Sequence, residues 1–170
     1  GEVYRQEYRR GKPVAPVKVA GKRKKDGTKT WFKADADIFQ SVKYKFDIVA
    51  TRLRELSFLN KGLKIDLLDH RTGKAVTFQA KGGLSEFVEY LNESKTPLFK
   101  KPVYFSATKD DVEVEAALAY NDGYTESLYS FVNNINTIEG GTHLTGFRTA
   151  LPRTINNYAS NRNLLKDLKA

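Results

Sequence analysis

Apolar residues recur at helical spacing in the first half of the chain. Phe46, Val49, Leu53 and Leu56 fall three to four positions apart, which predicts a helix over residues 43–60. Asp47 favours its first turn and Gly62 is placed to end it. A shorter helix, in which Ser85 can cap the start, carries apolar residues up to Leu91.

A second amphipathic stretch predicts a long helix over residues 142–165. Leu144, Phe147, Leu151 and Ile155 share one of its faces. Pro152 lies inside this stretch, and we expect it to kink the helix or to remove a backbone hydrogen bond.

Alternating apolar and polar residues predict the strands. The clearest alternation covers residues 112–120, and a turn at residues 121–123 leads into a strand that ends at Asn133. The other predicted strands are residues 2–8, 14–20 and 28–33, and a hairpin of residues 63–68 with 76–78. Strands and helices mix without regular β-α-β alternation, which predicts an α+β fold with two sheets, each covered by helices on one face. A linker-like stretch at residues 97–102 indicates a lobe boundary.

Composition indicates a globular chain, since 40% of its 170 residues are apolar. The chain contains no cysteine, which excludes disulfides and cysteine-ligated metals and is compatible with the cytoplasm. No apolar run approaches the roughly 18 residues of a membrane helix, so we expect no membrane partner. The chain starts at Gly1 and contains no methionine, which suggests a processed piece or a fragment of a longer protein.

Positive charge is concentrated near the start of the chain. Residues 1–45 hold 13 Lys/Arg against 5 Asp/Glu, a net charge of +8 out of the +9 of the whole chain. Its densest part, residues 22–25, is here called the basic segment; it consists of Lys22, Arg23, Lys24 and Lys25. Such a cluster can bind nucleic-acid phosphates, and it can equally be a solvated surface turn.

Few residues are candidates for catalysis. The chain has two histidines, and we interpret His70 as a surface residue and His143 as a structural residue of a turn. No catalytic triad, metal-ligand spacing or phosphate-binding glycine loop is present. Gly140 and Gly141 precede a helix and could expose backbone N–H groups to an anion, although a tight hinge is the favoured interpretation.

Two aromatic residues follow the basic segment. Trp31 and Phe32 could stack on bases if exposed, but neighbouring strand positions face opposite ways, so we expect at least one of them in a core. Gly27 and Thr28 precede them, and taken alone this pair is a weak signal.

Several motifs together resemble one known family. The run at residues 131–147 has an apolar strand, an Asn-Asn turn and a Glu-Gly-Gly-Thr-His stretch. It resembles the ATPase subunits of bacterial type IIA DNA topoisomerases, namely the B subunit of DNA gyrase and its topoisomerase IV counterpart. Residues 52–62, 27–39, 82–92 and 120–123 match the same family in order, and details such as Ile138 and Glu139 look more like gyrase.

The resemblance implies a domain organisation. Residues 1–94 would be the C-terminal part of a Bergerat (GHKL) ATPase domain, an α/β sandwich. Residues 95–170 would be the start of a transducer domain with a ribosomal-protein-like βαβ fold. Gly27 and Thr28 would line the adenine end of the nucleotide pocket, where aminocoumarin inhibitors also bind.

The resemblance also implies an activity for the parent protein. It would bind ATP and Mg²⁺, close as a homodimer around DNA, and work with the A subunit of the topoisomerase in strand passage and supercoiling. The family's general-base glutamate, adenine-reading aspartate, glycine-rich lid and Gln-x-Lys loop match nothing in this chain, and Pro152 replaces a residue that is usually Thr. We therefore expect these 170 residues alone not to hydrolyse ATP. The alternatives are a stand-alone basic nucleic-acid-binding module and a non-catalytic dimer scaffold.

Overall fold

The computed structural model describes residues 1–165, which form two compact units, residues 1–45 and residues 46–165. The strands of the described residues pair in five two-stranded antiparallel sheets rather than in the two larger sheets expected from the sequence. Three helices accompany them in the described part of the chain, so the predicted α+β class is confirmed.

The first unit is built from four short strands. β1 (Glu2–Arg5) pairs with β4 (Lys18–Lys22), and β2 (Tyr8–Arg9) pairs with β3 (Lys12–Pro13). They lie close to the strands predicted at residues 2–8 and 14–20. The two residues that connect β2 to β3, Arg10 and Gly11, both have positive φ (51° and 78°), as a type I′ hairpin turn requires.

The strand predicted at residues 28–33 is absent from the structure. These residues have no regular secondary structure, because a strand exists only as part of a ladder and no described residue pairs with them. Trp31 is 79% exposed and Phe32 is 64% exposed, so the expectation that one of them lies in a core is wrong. Phe32 instead meets the Tyr44 ring edge-on, with 5.3 Å between the ring centroids.

The second unit begins with α1 (Phe46–Leu59), which confirms the helix predicted over residues 43–60. Gly62 follows with a φ of 82°, and its N–H donates to the carbonyl of Ala80 over 2.7 Å. The chain then enters the predicted hairpin of β5 (Lys64–Leu68) and β6 (Ala75–Gln79), in which Lys64 pairs with Gln79.

The core of the second unit forms where α1 meets α2 (Leu84–Leu91). Phe58 and Phe87 stack with their ring centroids 5.1 Å apart, and both side chains are buried together with Ala80. Leu84, Leu91 and Phe131 pack against this centre. Gly83, and not Ser85, is the N-cap of α2, and no side chain caps that end; the predicted Ser85 cap is therefore wrong.

The remaining elements are a long hairpin, a short hairpin and a helix. β8 (Val112–Leu118) confirms the predicted alternating strand and pairs with β7 (Val103–Lys109), which the sequence did not predict. Instead of one strand ending at Asn133, the chain forms β9 (Phe131–Val132) and β10 (Ile135–Asn136). α3 (Thr142–Asn161) confirms most of the predicted long helix and continues through Pro152.

Candidate functional site

Gly27 and Thr28 lie in an exposed, irregular segment of the first unit. Gly27 has a φ of 153°, and a Cβ built on it would meet nothing within 4 Å. Glycine is therefore favoured here by backbone conformation and not by packing. Within the described part of the chain the Thr28 hydroxyl has no hydrogen-bond partner, so it can donate to or accept from a ligand.

The basic segment begins at the end of β4. Lys22 is the last residue of that strand, and Arg23 exchanges two backbone hydrogen bonds with Gly1, of 2.7 and 2.9 Å. Lys24 and Lys25 lie in a bend, and all four side chains are exposed. Among the described residues none of the four cations forms an ion pair, so each is available to a phosphate.

A charged contact fixes the other end of the same irregular segment. The Arg10 guanidinium donates to the Asp35 carboxylate over 2.5 Å and also pairs with Asp37. The hydrogen bond from Arg10 lowers the pKa of Asp35, and the Asp37 backbone N–H donates to the same carboxylate over 3.0 Å. Residues 24–34 are thereby anchored at both ends, while the side chains of residues 24–33 stay exposed.

Sequence reasoning missed this anchor. Asp35 lies within a family motif that carries no hint of an ion pair, and its partner Arg10 lies 25 residues away. The useful signal was the Arg10-Gly11 pair between two short β-forming runs, which indicates a tight turn that projects a cation.

The two histidines lie in different elements of the second unit. His70 is exposed in the β5–β6 loop. His143 lies at the start of α3, where its Nε2 is 3.1 Å from the Thr137 hydroxyl and its ring lies against Gly141. Across residues 1–165, no group of three or more potential ligands is placed to hold a metal ion. These contacts support the structural interpretation of His143.

None of the described helices combines the length and apolar character that crossing a membrane requires.

Comparison with known proteins places the chain in a family. The family model described as DNA gyrase B matches residues 83–170. The DNA gyrase B subunit of Clostridium acetobutylicum is 50% identical over 168 residues, which is 98% of this chain and 26% of that protein. The corresponding protein of Bacillus mycoides is 48% identical over 169 residues, with 98% and 42% of the two chains covered.

Solved structures agree in fold. The crystal structure of the 43K ATPase domain of Thermus thermophilus gyrase B in complex with an aminocoumarin superposes with a TM-score of 0.80 at 33% identity. The match covers 99% of this chain and 47% of that one. The B subunit of Myxococcus xanthus DNA gyrase gives a TM-score of 0.77 at 24% identity, over 92% and 47% of the two chains, and this shows the fold alone.

This chain spans less than half the length of these relatives. The family model nevertheless covers more than half of the chain, and the sequence identity extends over nearly all of it. The chain belongs to the DNA gyrase B family.

Proposed function

We propose that this chain is part of the ATP-hydrolysing subunit of a type IIA DNA topoisomerase, of the gyrase B kind. That protein couples ATP binding and dimer closure to DNA strand passage and supercoiling, with the topoisomerase's A subunit as its partner and the cytoplasm as its compartment. One observation carries the proposal: 99% of the chain superposes on a gyrase B ATPase domain with a TM-score of 0.80. Residues 1–94 then belong to the ATPase domain and residues 95–170 to the transducer domain.

Thr28 is the proposed contact to the nucleotide. Its hydroxyl is exposed and unpartnered within the described residues, and Gly27 before it leaves the approach open. The hydroxyl can bond the adenine edge of ATP directly or through water. The aminocoumarin bound to the Thermus thermophilus domain supports an inhibitor site of the same kind. Bound ATP with Mg²⁺ would supply the phosphoryl group, and we derive no hydrolysis step from these residues because they include no identified general base.

A threonine-to-valine exchange tests this contact. In a protein of the relatives' length that carries this segment, Thr28→Val removes one hydrogen bond, and we expect the KM for ATP to rise roughly fivefold. Thr30→Val makes the same chemical change two residues away and should leave the KM unchanged. An unchanged KM for Thr28→Val would refute the contact. The 170-residue chain alone is expected to show no ATP turnover.

Nucleic-acid binding by the basic segment is the second proposed activity. The observation that favours it is the run of four exposed cations that form no ion pair with any described residue. Each phosphate contact with duplex DNA contributes roughly 0.9 to the slope of log affinity against log salt. Neutralising all four residues should therefore reduce the magnitude of that slope by as much as about 3.6.

A double exchange gives a control of equal charge. Lys24→Gln with Lys25→Gln should weaken DNA binding and lower the salt slope by as much as about 1.8. Lys100→Gln with Lys101→Gln removes the same charge from another exposed pair. Equal effects of the two double variants would mean that net charge alone drives binding, and would contradict the assignment to the basic segment.

A further inference from the structure

The β9–β10 hairpin contacts a different helix at each of its ends. Its tip is the turn formed by Asn133 and Asn134, whose φ values are 47° and 67°. At this tip, the Arg52 guanidinium of α1 donates to the Asn134 carbonyl over 2.6 Å, and the Asn134 side-chain amide donates to Asn60 Oδ1 over 3.2 Å. Glu55 pairs with Arg52 and holds the guanidinium in place. The tip is therefore bonded to α1 and to Asn60, the residue that follows α1.

The base of the same hairpin is tied to the start of α3. The Thr137 backbone N–H and hydroxyl both donate to the Ser130 carbonyl, over 2.8 and 3.0 Å. The Ser130 hydroxyl lies 2.6 Å from the Thr137 hydroxyl, and His143 Nε2 lies 3.1 Å from it. The Thr137 hydroxyl thus links Ser130 to His143 at the base of the hairpin.

The hairpin between these contacts is short and stiff. Each strand has two residues, and the turn has the left-handed geometry of a type I′ hairpin. Phe131 on β9 packs against the core and lies 6.4 Å from the Phe87 ring. Because the hairpin is short and packed against the core, we expect a displacement of its tip to be transmitted to Thr137 with little loss.

We propose that residues 130–137 form a strut that transmits the position of α1 to the N-terminus of α3. This inference rests on the proposed function, in which α1 belongs to the ATPase domain and α3 to the transducer domain. A nucleotide-dependent shift of α1 would then move α3 through the strut. The strut itself is present in the 170-residue chain, so its mechanical role can be measured without nucleotide.

Two neighbouring asparagines provide a matched pair of variants. Asn134→Gly keeps the positive φ of the turn but removes the side-chain bond to Asn60. Asn133→Gly makes the same change at a position of the same turn whose side chain has no hydrogen-bond partner among residues 1–165. Each variant introduces one glycine at a positive-φ position of the same turn, so a difference between them reports the contact with α1.

Hydrogen exchange in the 170-residue chain is the measurement. The Thr145 N–H donates to the Gly141 carbonyl in the first turn of α3, and the Asp69 N–H, which donates to the Lys74 carbonyl, reports on the loop end of the β5–β6 hairpin. We expect Asn134→Gly to accelerate exchange at Thr145 roughly fivefold, with Asp69 and the Asn133→Gly protein unchanged. Equal acceleration in the two variants, equal acceleration at Asp69, or no acceleration at Thr145 would overturn the strut.

A double-mutant cycle between the two ends tests the coupling independently. Arg52→Gln loosens the tip and Thr137→Val removes the hydroxyl at the base. We expect the double variant to change the unfolding equilibrium constant by roughly threefold less than the product of the single changes. Simple multiplication of the single effects would also overturn the strut. If Asn134→Gly leaves ATP-coupled strand passage of the longer protein intact, the proposed function stands and the strut's role in it is overturned. If the unaltered longer protein shows no ATP-coupled strand passage while both measurements support the strut, the proposed function fails and the strut stands.

Discussion

Phe87 is the central side chain of the second unit, and its removal should be severely destabilising. Its ring lies 5.1 Å from Phe58, 5.5 Å from Tyr129 and 6.4 Å from Phe131, and only 7% of the residue is exposed. Replacing a buried phenylalanine by alanine costs about 3–5 kcal/mol, which includes about 0.5–1.5 kcal/mol for each favourable ring pair that is lost. We expect Phe87→Ala to lower the free energy of unfolding by about 4 kcal/mol, a large share of the roughly 5–15 kcal/mol that stabilises a domain.

Urea unfolding followed by far-UV circular dichroism measures this loss. Tryptophan fluorescence does not suit the purpose, because Trp31 lies in the other unit and is 79% exposed. Tyr124→Ala is the control: Tyr124 is fully exposed, and its removal should change stability by less than about 0.5 kcal/mol. A loss below about 1 kcal/mol for Phe87→Ala, or an equal loss for the control, would refute the assignment of Phe87 to the centre of the core.

Three further predictions concern charge, backbone and packing. The Arg71 side chain donates to the Asp69 carboxylate over 2.8 Å and lowers the pKa of Asp69 in the folded state. The contribution of this contact to the free energy of unfolding is therefore present above the pKa that Asp69 has in the unfolded chain. It is lost as the pH falls through the lower pKa of the folded state. Asp69→Asn should flatten the acid limb of a plot of unfolding free energy against pH. Pro152→Ala should restore a backbone donor within α3 and raise helix stability by up to about 3 kcal/mol, measured by thermal unfolding. Gly141→Ala places a Cβ 2.7 Å from His143 Cε1, so the exposed ring must rotate away and lose its hydrogen bond to Thr137, at a cost of about 1 kcal/mol. Adding His143→Ala should relieve the clash, and an equal cost in both backgrounds, measured by thermal unfolding, would contradict this.

The basic segment shows what local sequence reveals about the candidate site. A run of cations without apolar residues predicts an exposed turn, and residues 22–25 are exposed. The anchors of this region could not be predicted in the same way. Arg10 meets Asp35 across 25 residues, and that pairing depends on a turn in which Arg10 itself takes a positive φ.

The sequence by itself determined the elements that local periodicity describes. The apolar spacing of α1 and α3 and the alternation along β5 and β8 are properties of neighbouring residues, and these elements formed where they were predicted. The family resemblance was also present in the sequence, because its motifs are short and ordered along the chain.

Tertiary structure decided which runs became strands and which turns reversed the chain. Residues 28–33 contain β-forming residues but have no pairing partner among the described residues, whereas β7 exists because β8 lies beside it. Two hairpins turn at Asp-Asp and Asn-Asn pairs without glycine, since these side chains tolerate positive φ when the flanking strands require it. The contact of Arg52 with Asn134 spans 82 residues, and no local pattern encodes it, because its energy is gained only after both helices and the hairpin have packed around Phe87.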